Sequence, residues 1–184
     1  CEFGARHKKP TIISTGMCTY NEIIKTQKIF KKYKTPHIFL HCTSAYPSDE
    51  KDKNLKCITR LSKILGEEVG FSGHGTGIIG AAGATVLGAK VIEKHVTLNK
   101  KMLGPDHAAS LEFGTFKNMV QTVRKLKISL GSDEKKFLKS ETTLHNVLIR
   151  KFVSREIIKK NQKFKINNIK TALVYSKKGI LPKY

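Results

Sequence analysis

The sequence predicts a parallel α/β fold, in which strands of one sheet are joined by crossover helices. Four short runs, at residues 11–16, 37–43, 69–74 and 91–97, are each built on consecutive apolar residues, Ile12-Ile13, Ile38-Phe39-Leu40, Val69-Gly70-Phe71 and Val91-Ile92, as strands covered on both faces are. The segments between them have helix length, two with apolar residues near helical spacing and one rich in Gly and Ala. Polar side chains that look functional, Ser14, His41, Thr43, Tyr46, Ser72, His74, Glu93 and His95, fall late in these runs or just beyond. That is the end at which parallel sheets and barrels bind ligands.

Thr11-Ile12-Ile13-Ser14-Thr15-Gly16 is the first strand, and Thr19 or Asn21 caps a helix that runs to about Tyr33 with Ile23, Ile24, Gln27 and Phe30 near one face. Pro36 ends the connection to the second strand, His37-Ile38-Phe39-Leu40-His41-Cys42-Thr43. After the loop Ser44-Ala45-Tyr46-Pro47, a second helix carries Leu55, Ile58, Leu61 and Leu65. Residues 69–74 and 91–97 are the third and fourth strands, and the Gly- and Ala-rich stretch between them has a helix's length. A strand–helix–strand unit sets parallel strand ends side by side, so His74 and His95 are predicted to meet. Two imidazoles from adjacent strand tips can share one divalent cation. Gly104-Pro105-Asp106-His107 makes a loop, residues 113–130 a final helix, and Gly131-Ser132-Asp133 a boundary. Short alternating segments around Leu148-Ile149-Arg150-Lys151-Phe152-Val153 and Lys170-Thr171-Ala172-Leu173-Val174-Tyr175 suggest a small separate domain.

At 184 residues and 39% hydrophobic, the chain can bury one core and a small appendage. No apolar run is long enough to span a membrane. Cys1, Cys18, Cys42 and Cys57 lack CxxC spacing, which fits buried, reduced thiols in a cytoplasmic protein better than a disulfide framework. The net charge of +21 suits anionic small molecules. It is spread over helix faces such as Lys25, Lys28, Lys31 and Lys32, without the spacing of a nucleic-acid motif, so neither a nucleic-acid nor a membrane partner is expected. The opening Cys1-Glu2-Phe3-Gly4 has no initiator methionine, and the chain reads as part of something longer.

Five ordered blocks carry a family resemblance: Ile13-Ser14-Thr15-Gly16-Met17, His41-Cys42-Thr43-Ser44-Ala45-Tyr46-Pro47, Phe71-Ser72-Gly73-His74, Gly88-Ala89-Lys90-Val91-Ile92-Glu93-Lys94-His95 and Gly104-Pro105-Asp106-His107-Ala108-Ala109-Ser110-Leu111. Together they resemble the phosphoenolpyruvate-dependent N-acylneuraminate (sialic acid) synthases. The resemblance implies the latter half of a TIM (β/α)8 barrel over residues 1–130, a linker over 131–145 and an incomplete antifreeze-like (SAF) domain over 146–184. It implies a transferase of sialic acid biosynthesis that condenses phosphoenolpyruvate with N-acetylmannosamine or its 6-phosphate, releasing phosphate. His74 and His95 are then the catalytic metal ligands, for manganese or magnesium. Ser14 and Ser72 match positions that contact phosphate or neighbouring polar groups; Tyr46, Glu93 and Asp106 match the sugar pocket, and Ser44 stands where many bacterial members place asparagine. A homodimer is implied for the full-length protein, and a half-barrel alone is expected to be inactive.

Gly73 and Ser44-Ala45-Tyr46 resemble the animal-type members, which make N-acetylneuraminate 9-phosphate. Leu173 falls near a bacterial arginine that reaches the partner subunit's sugar, with Lys170, Lys177 and Lys178 nearby. A legionaminate or pseudaminate synthase, and an inactive truncated paralogue or basic binding module, are the alternatives.

Overall fold

Strands β1 (Thr11–Ser14), β2 (His37–Cys42), β3 (Val69–Gly73) and β4 (Ile92–Lys94) pair in parallel and in sequence order. They are seen in a computed structural model that describes residues 1–174 and 180–182; Tyr175, Lys177 and Lys178 lie outside the described residues. The connections are α2 (Tyr20–Lys32) after a short α1 (Glu2–Arg6), then a 3-10 turn (Glu50–Asp52) with α3 (Lys56–Leu65), and α4 (Ile79–Val86).

Alternation along the strands sends Ile13, Phe39, Val69, Phe71 and Ile92 to the helix side, where they pack with Ile23, Ile58, Leu61, Leu65 and Ala84. Phe39, Ile58, Leu61 and Val69 are almost completely buried there. Gln27, set on this apolar stripe, is satisfied by donating to the Leu65 carbonyl at 2.9 Å. Thr19, of the two candidate caps, starts α2: its hydroxyl accepts from the Glu22 amide at 3.4 Å, and the Glu22 carboxylate accepts from the Thr19 amide at 2.7 Å.

Ser14, Cys42, Ser72 and Glu93 face the other way. The Ser14 hydroxyl donates to Glu93 Oε1 at 3.4 Å, although two strands stand between β1 and β4. At about 4.8 Å per strand, two side chains as short as Ser and Glu could not meet across a flat sheet. The sheet therefore curls, with this polar face inside the curve.

Three local expectations are corrected. His74 lies just past β3, and the fourth strand breaks at His95 into β4 and β5 (Val96–Thr97). A further strand, β6 (Leu111–Glu112), pairs in parallel with β5 and leads into α5 (Phe113–Leu130); Leu111 and Met119 bury against α4 there. The thiols are free, as expected, but Cys1 and Cys18 are exposed and Cys42 and Cys57 only half-buried. Cys1 opens the chain and Cys18 sits on the loop before α2, neither of which has a core to enter.

The chain divides into two units, 1–132 and 133–184. The second contains a 3-10 turn (Lys139–Glu141), α6 (Thr142–Leu148) and the antiparallel strands β7 (Arg150–Ser154) and β8 (Ile169–Leu173), so residues 139–145 of the expected linker carry structure. Its Asn168 is buried and ties the approach to β8 by accepting from the Lys165 amide and donating to the Lys163 carbonyl. Leu173 stands opposite Arg150 in the ladder. Among the described residues, no helix is long and apolar enough to cross a membrane.

Candidate active site

The C-terminal ends of β2, β3 and β4 bring Tyr46, His74 and His95 into one aromatic cluster. The two imidazole centroids are 5.2 Å apart, and the Tyr46 ring lies 4.2 Å from His74 and 5.7 Å from His95. His74 is buried, at 5% exposure, and its Nδ1 donates to the Thr43 carbonyl at 2.9 Å. A carbonyl only accepts, so Nδ1 carries the proton and Nε2 keeps its lone pair free. The Ser48 amide holds the His74 carbonyl at 3.1 Å. The half-buried His95 ring has no hydrogen-bond partner among the described residues.

Glu93 anchors the polar floor. Its Oε1 accepts from Ser72 at 2.6 Å as well as from Ser14, while the carboxylate stays exposed. Ser72, by contrast, is buried. Ser44 is held beside Cys42, whose Sγ is 3.8 Å from the Ser44 hydroxyl and 3.9 Å from His74 Nδ1. Asp106 is exposed on the loop before β6, a loop secured by pairing of His107 Nδ1 with Thr97 Oγ1 at 2.8 Å and by the Ser110 hydroxyl donating to the Asp106 carbonyl at 2.7 Å. Burial, then the nearby charges of Cys42, Asp106 and Glu93, raise the Tyr46 phenol above its ordinary value, so it remains a hydrogen-bond donor at neutral pH. Ser14, Ser44, Tyr46, Ser72, His74, Glu93 and His95 thus lie at one end of the curled sheet, and Asp106, on the loop between β5 and β6, is near enough to act on Tyr46.

His41 and Thr43 are engaged elsewhere. His41 Nε2 pairs with the Lys53 carbonyl at 2.7 Å, and the Thr43 hydroxyl donates to the Asp52 carbonyl at 3.0 Å. Thr43 contributes through its carbonyl, a role that no residue type announces in a sequence. Gly16, in the first motif, has no side chain to mark it as functional, yet a Cβ there would stand 1.9 Å from the Ser44 hydroxyl and 3.1 Å from Cys42 Sγ. At Gly73 a Cβ would meet the Phe71 ring at 2.7 Å, so this glycine answers to packing on the helix side and not to the polar face. Lys94 also points to the helix side. Burial first, then Lys53 and Lys100, lower its ammonium to about 8.

Among the described residues, no group of three or more His, Cys, Asp and Glu side chains is arranged to hold a metal ion. What the site does offer is two neighbouring imidazoles, one of them oriented by a backbone carbonyl.

Residues 2–135 match the model of the NeuB family. The pseudaminic acid synthase of Campylobacter jejuni subsp. jejuni (strain 81-176) is 42% identical over 181 residues, covering 98% of this chain and 52% of that protein. The N-acetylneuraminate-9-phosphate synthase of Homo sapiens is 38% identical over 152 residues, covering 82% and 42%. The chain thus spans about half the length of the curated relatives it matches. A crystal structure of N-acetylneuraminic acid (sialic acid) synthetase from Leptospira borgpetersenii, in complex with citrate, superposes with a TM-score of 0.72 at 33% identity, covering 80% of this chain and 53% of that one.

Proposed function

The chain belongs to the NeuB family, and from that premise we propose that the complete protein is a nonulosonate synthase, joining phosphoenolpyruvate to an N-acylated amino sugar with addition of water and release of phosphate. The observation that carries this reading is the juxtaposition of His74, His95 and Tyr46 above the Glu93 carboxylate. His74 and His95 are the residues that would hold a divalent cation, manganese or magnesium. When bound, it supplies Lewis-acid polarisation of a carbonyl oxygen. Glu93, kept in place by Ser14 and Ser72, accepts hydrogen bonds from sugar hydroxyls, and Asp106 adds a second carboxylate on the same side. Tyr46, protonated and half-exposed, donates to a polar substituent of the sugar. Ser14, Ser44 and Ser72 offer small hydroxyls to phosphoenolpyruvate and its neighbours. The remaining strands of a (β/α)8 barrel, an antifreeze-like second domain, a homodimer and a cytoplasmic location belong to the same proposal.

For the sugar, the pseudaminate type is favoured, because identity to a pseudaminic acid synthase extends over 98% of the chain. The animal-type reading, in which N-acetylmannosamine 6-phosphate is the substrate, rests on Gly73, the Ser44-Ala45-Tyr46 loop and Leu173; a Cβ at Gly73 would meet the Phe71 ring on the helix side. The discriminating experiment compares kcat/KM of the complete protein for the amino-sugar precursor of pseudaminic acid, N-acetylmannosamine and N-acetylmannosamine 6-phosphate at equal metal. Preference for the first is expected; preference for the phosphorylated sugar would establish the animal type instead.

A further inference from the structure

The chemistry above leaves one charged side chain of the site region without a task. Lys94 closes β4 between Glu93 and His95, and its half-buried side chain runs behind the polar face. Its ammonium donates to the carbonyl oxygen of Gly75, the residue after His74, and to that of Ala109 at 3.2 Å. Ala109 is fully buried and belongs to the loop that carries Asp106. The other buried lysine nearby is engaged: the Lys53 ammonium is paired with Glu50, and its stem fills the space where a Cβ on Gly75 would stand. One ammonium therefore joins three segments, those of His74, of Glu93 with His95, and of Asp106. An ammonium has three donors in a compact head, so it can serve two carbonyls that approach from different elements, whereas an apolar side chain would leave both without a donor.

We propose that Lys94 is a positioning residue, which sets the separation between the His74 loop and the Asp106 loop and so presents His74 for metal binding. The inference rests on the reading of His74 and His95 as metal ligands. Its test is Mn²⁺ titration of the complete protein, following free and bound ion by electron paramagnetic resonance, in the wild type and the variants His95→Ala, Lys94→Met and Lys94→Gln. Binding by the wild type that His95→Ala abolishes is expected from the metal reading itself; if the wild type binds no Mn²⁺, that reading and this inference both fall. Lys94→Met is expected to weaken binding by about ten-fold or more, the range seen when groups that orient metal ligands are removed. The signal of the ion that still binds should broaden, with far-UV circular dichroism unchanged. A merely structural lysine would lower thermal stability and leave the affinity and line shape of the folded fraction untouched. Affinity within two-fold of wild type in folded Lys94→Met would overturn the inference while sparing the metal reading. Should Lys94→Met not fold, Lys94→Gln decides: it retains one donor on a shorter stem and should bind several-fold more weakly, and wild-type affinity there would overturn the proposal.

Discussion

At residue 16 a single methyl group is expected to matter. A Cβ there would stand 1.9 Å from Ser44 Oγ, so Gly16→Ala must turn the Ser44 hydroxyl out of its place or move the loop between β1 and α2 away from it. Because the displaced contact lies at the sheet's end and not in the core, the melting temperature should change little. Meanwhile kcat/KM of the complete protein should fall at least ten-fold, a loss worth about 1.4 kcal/mol of transition-state stabilisation. Unchanged kinetics in Gly16→Ala would remove Ser44 from the site. The histidines were legible in the sequence because each ends a recognisable apolar run. The Thr43 carbonyl that orients His74 and the two carbonyls that receive Lys94 were not, since backbone acceptors carry no residue signature. That a Cβ at Gly73 would face Phe71 on the helix side was not legible either, because one sequence does not reveal which face of β3 a residue meets.

Among the elements, α2 was read closely: Thr19 and Glu22 form the cap, and Ile23, Gln27 and Phe30 the buried face. Replacing Thr19 by Ala should cost about 1 kcal/mol, the usual loss for an N-cap hydroxyl, measurable by denaturant titration. The Glu22 carboxylate is held below its ordinary value by the Thr19 hydroxyl and then the Thr19 amide. A carboxyl lowered in the folded state contributes stability that is present above the unfolded value of 4.5 and lost as pH falls through the lower folded one. Glu22→Gln should therefore lower stability near neutrality, where the ionised carboxylate contributes, and flatten the fall in stability below about pH 4.5, so that the two proteins converge in acid. In the core, Ile58→Ala should cost about 2–5 kcal/mol, since Ile58 is fully buried between sheet and helices. Strand β6 escaped sequence reading for a physical reason: two residues, Leu111 and Glu112, are too few to display a period, and pairing with β5 alone defines them as a strand.

For the whole molecule, the curl of the sheet is the property from which the site follows. It draws Ser14 of β1 to Glu93 of β4 and leaves β1 paired on one side only among the described residues. On the inner face, Leu40 is fully buried whereas Ile12 on β1 is 57% exposed, where a neighbouring strand of a closed barrel would cover it. The 184-residue chain by itself is accordingly expected to associate through this edge and to release no phosphate from phosphoenolpyruvate in the presence of an N-acylated amino sugar. Release by the chain alone, dependent on both substrates, would refute the need for further strands. The parallel order was readable because crossover helices separate apolar runs; the curl was not, because it appears only in contacts between residues 79 positions apart. The most direct measurement is phosphate release by the complete protein given phosphoenolpyruvate, an N-acylated amino sugar and Mn²⁺, set beside its His95→Ala variant. Release that requires both substrates and the metal, and that disappears in a folded His95→Ala protein, is the expected result. Release that proceeds without the amino sugar, or that persists in His95→Ala, would contradict the assignment of His74 and His95 as the centre of a nonulosonate synthase.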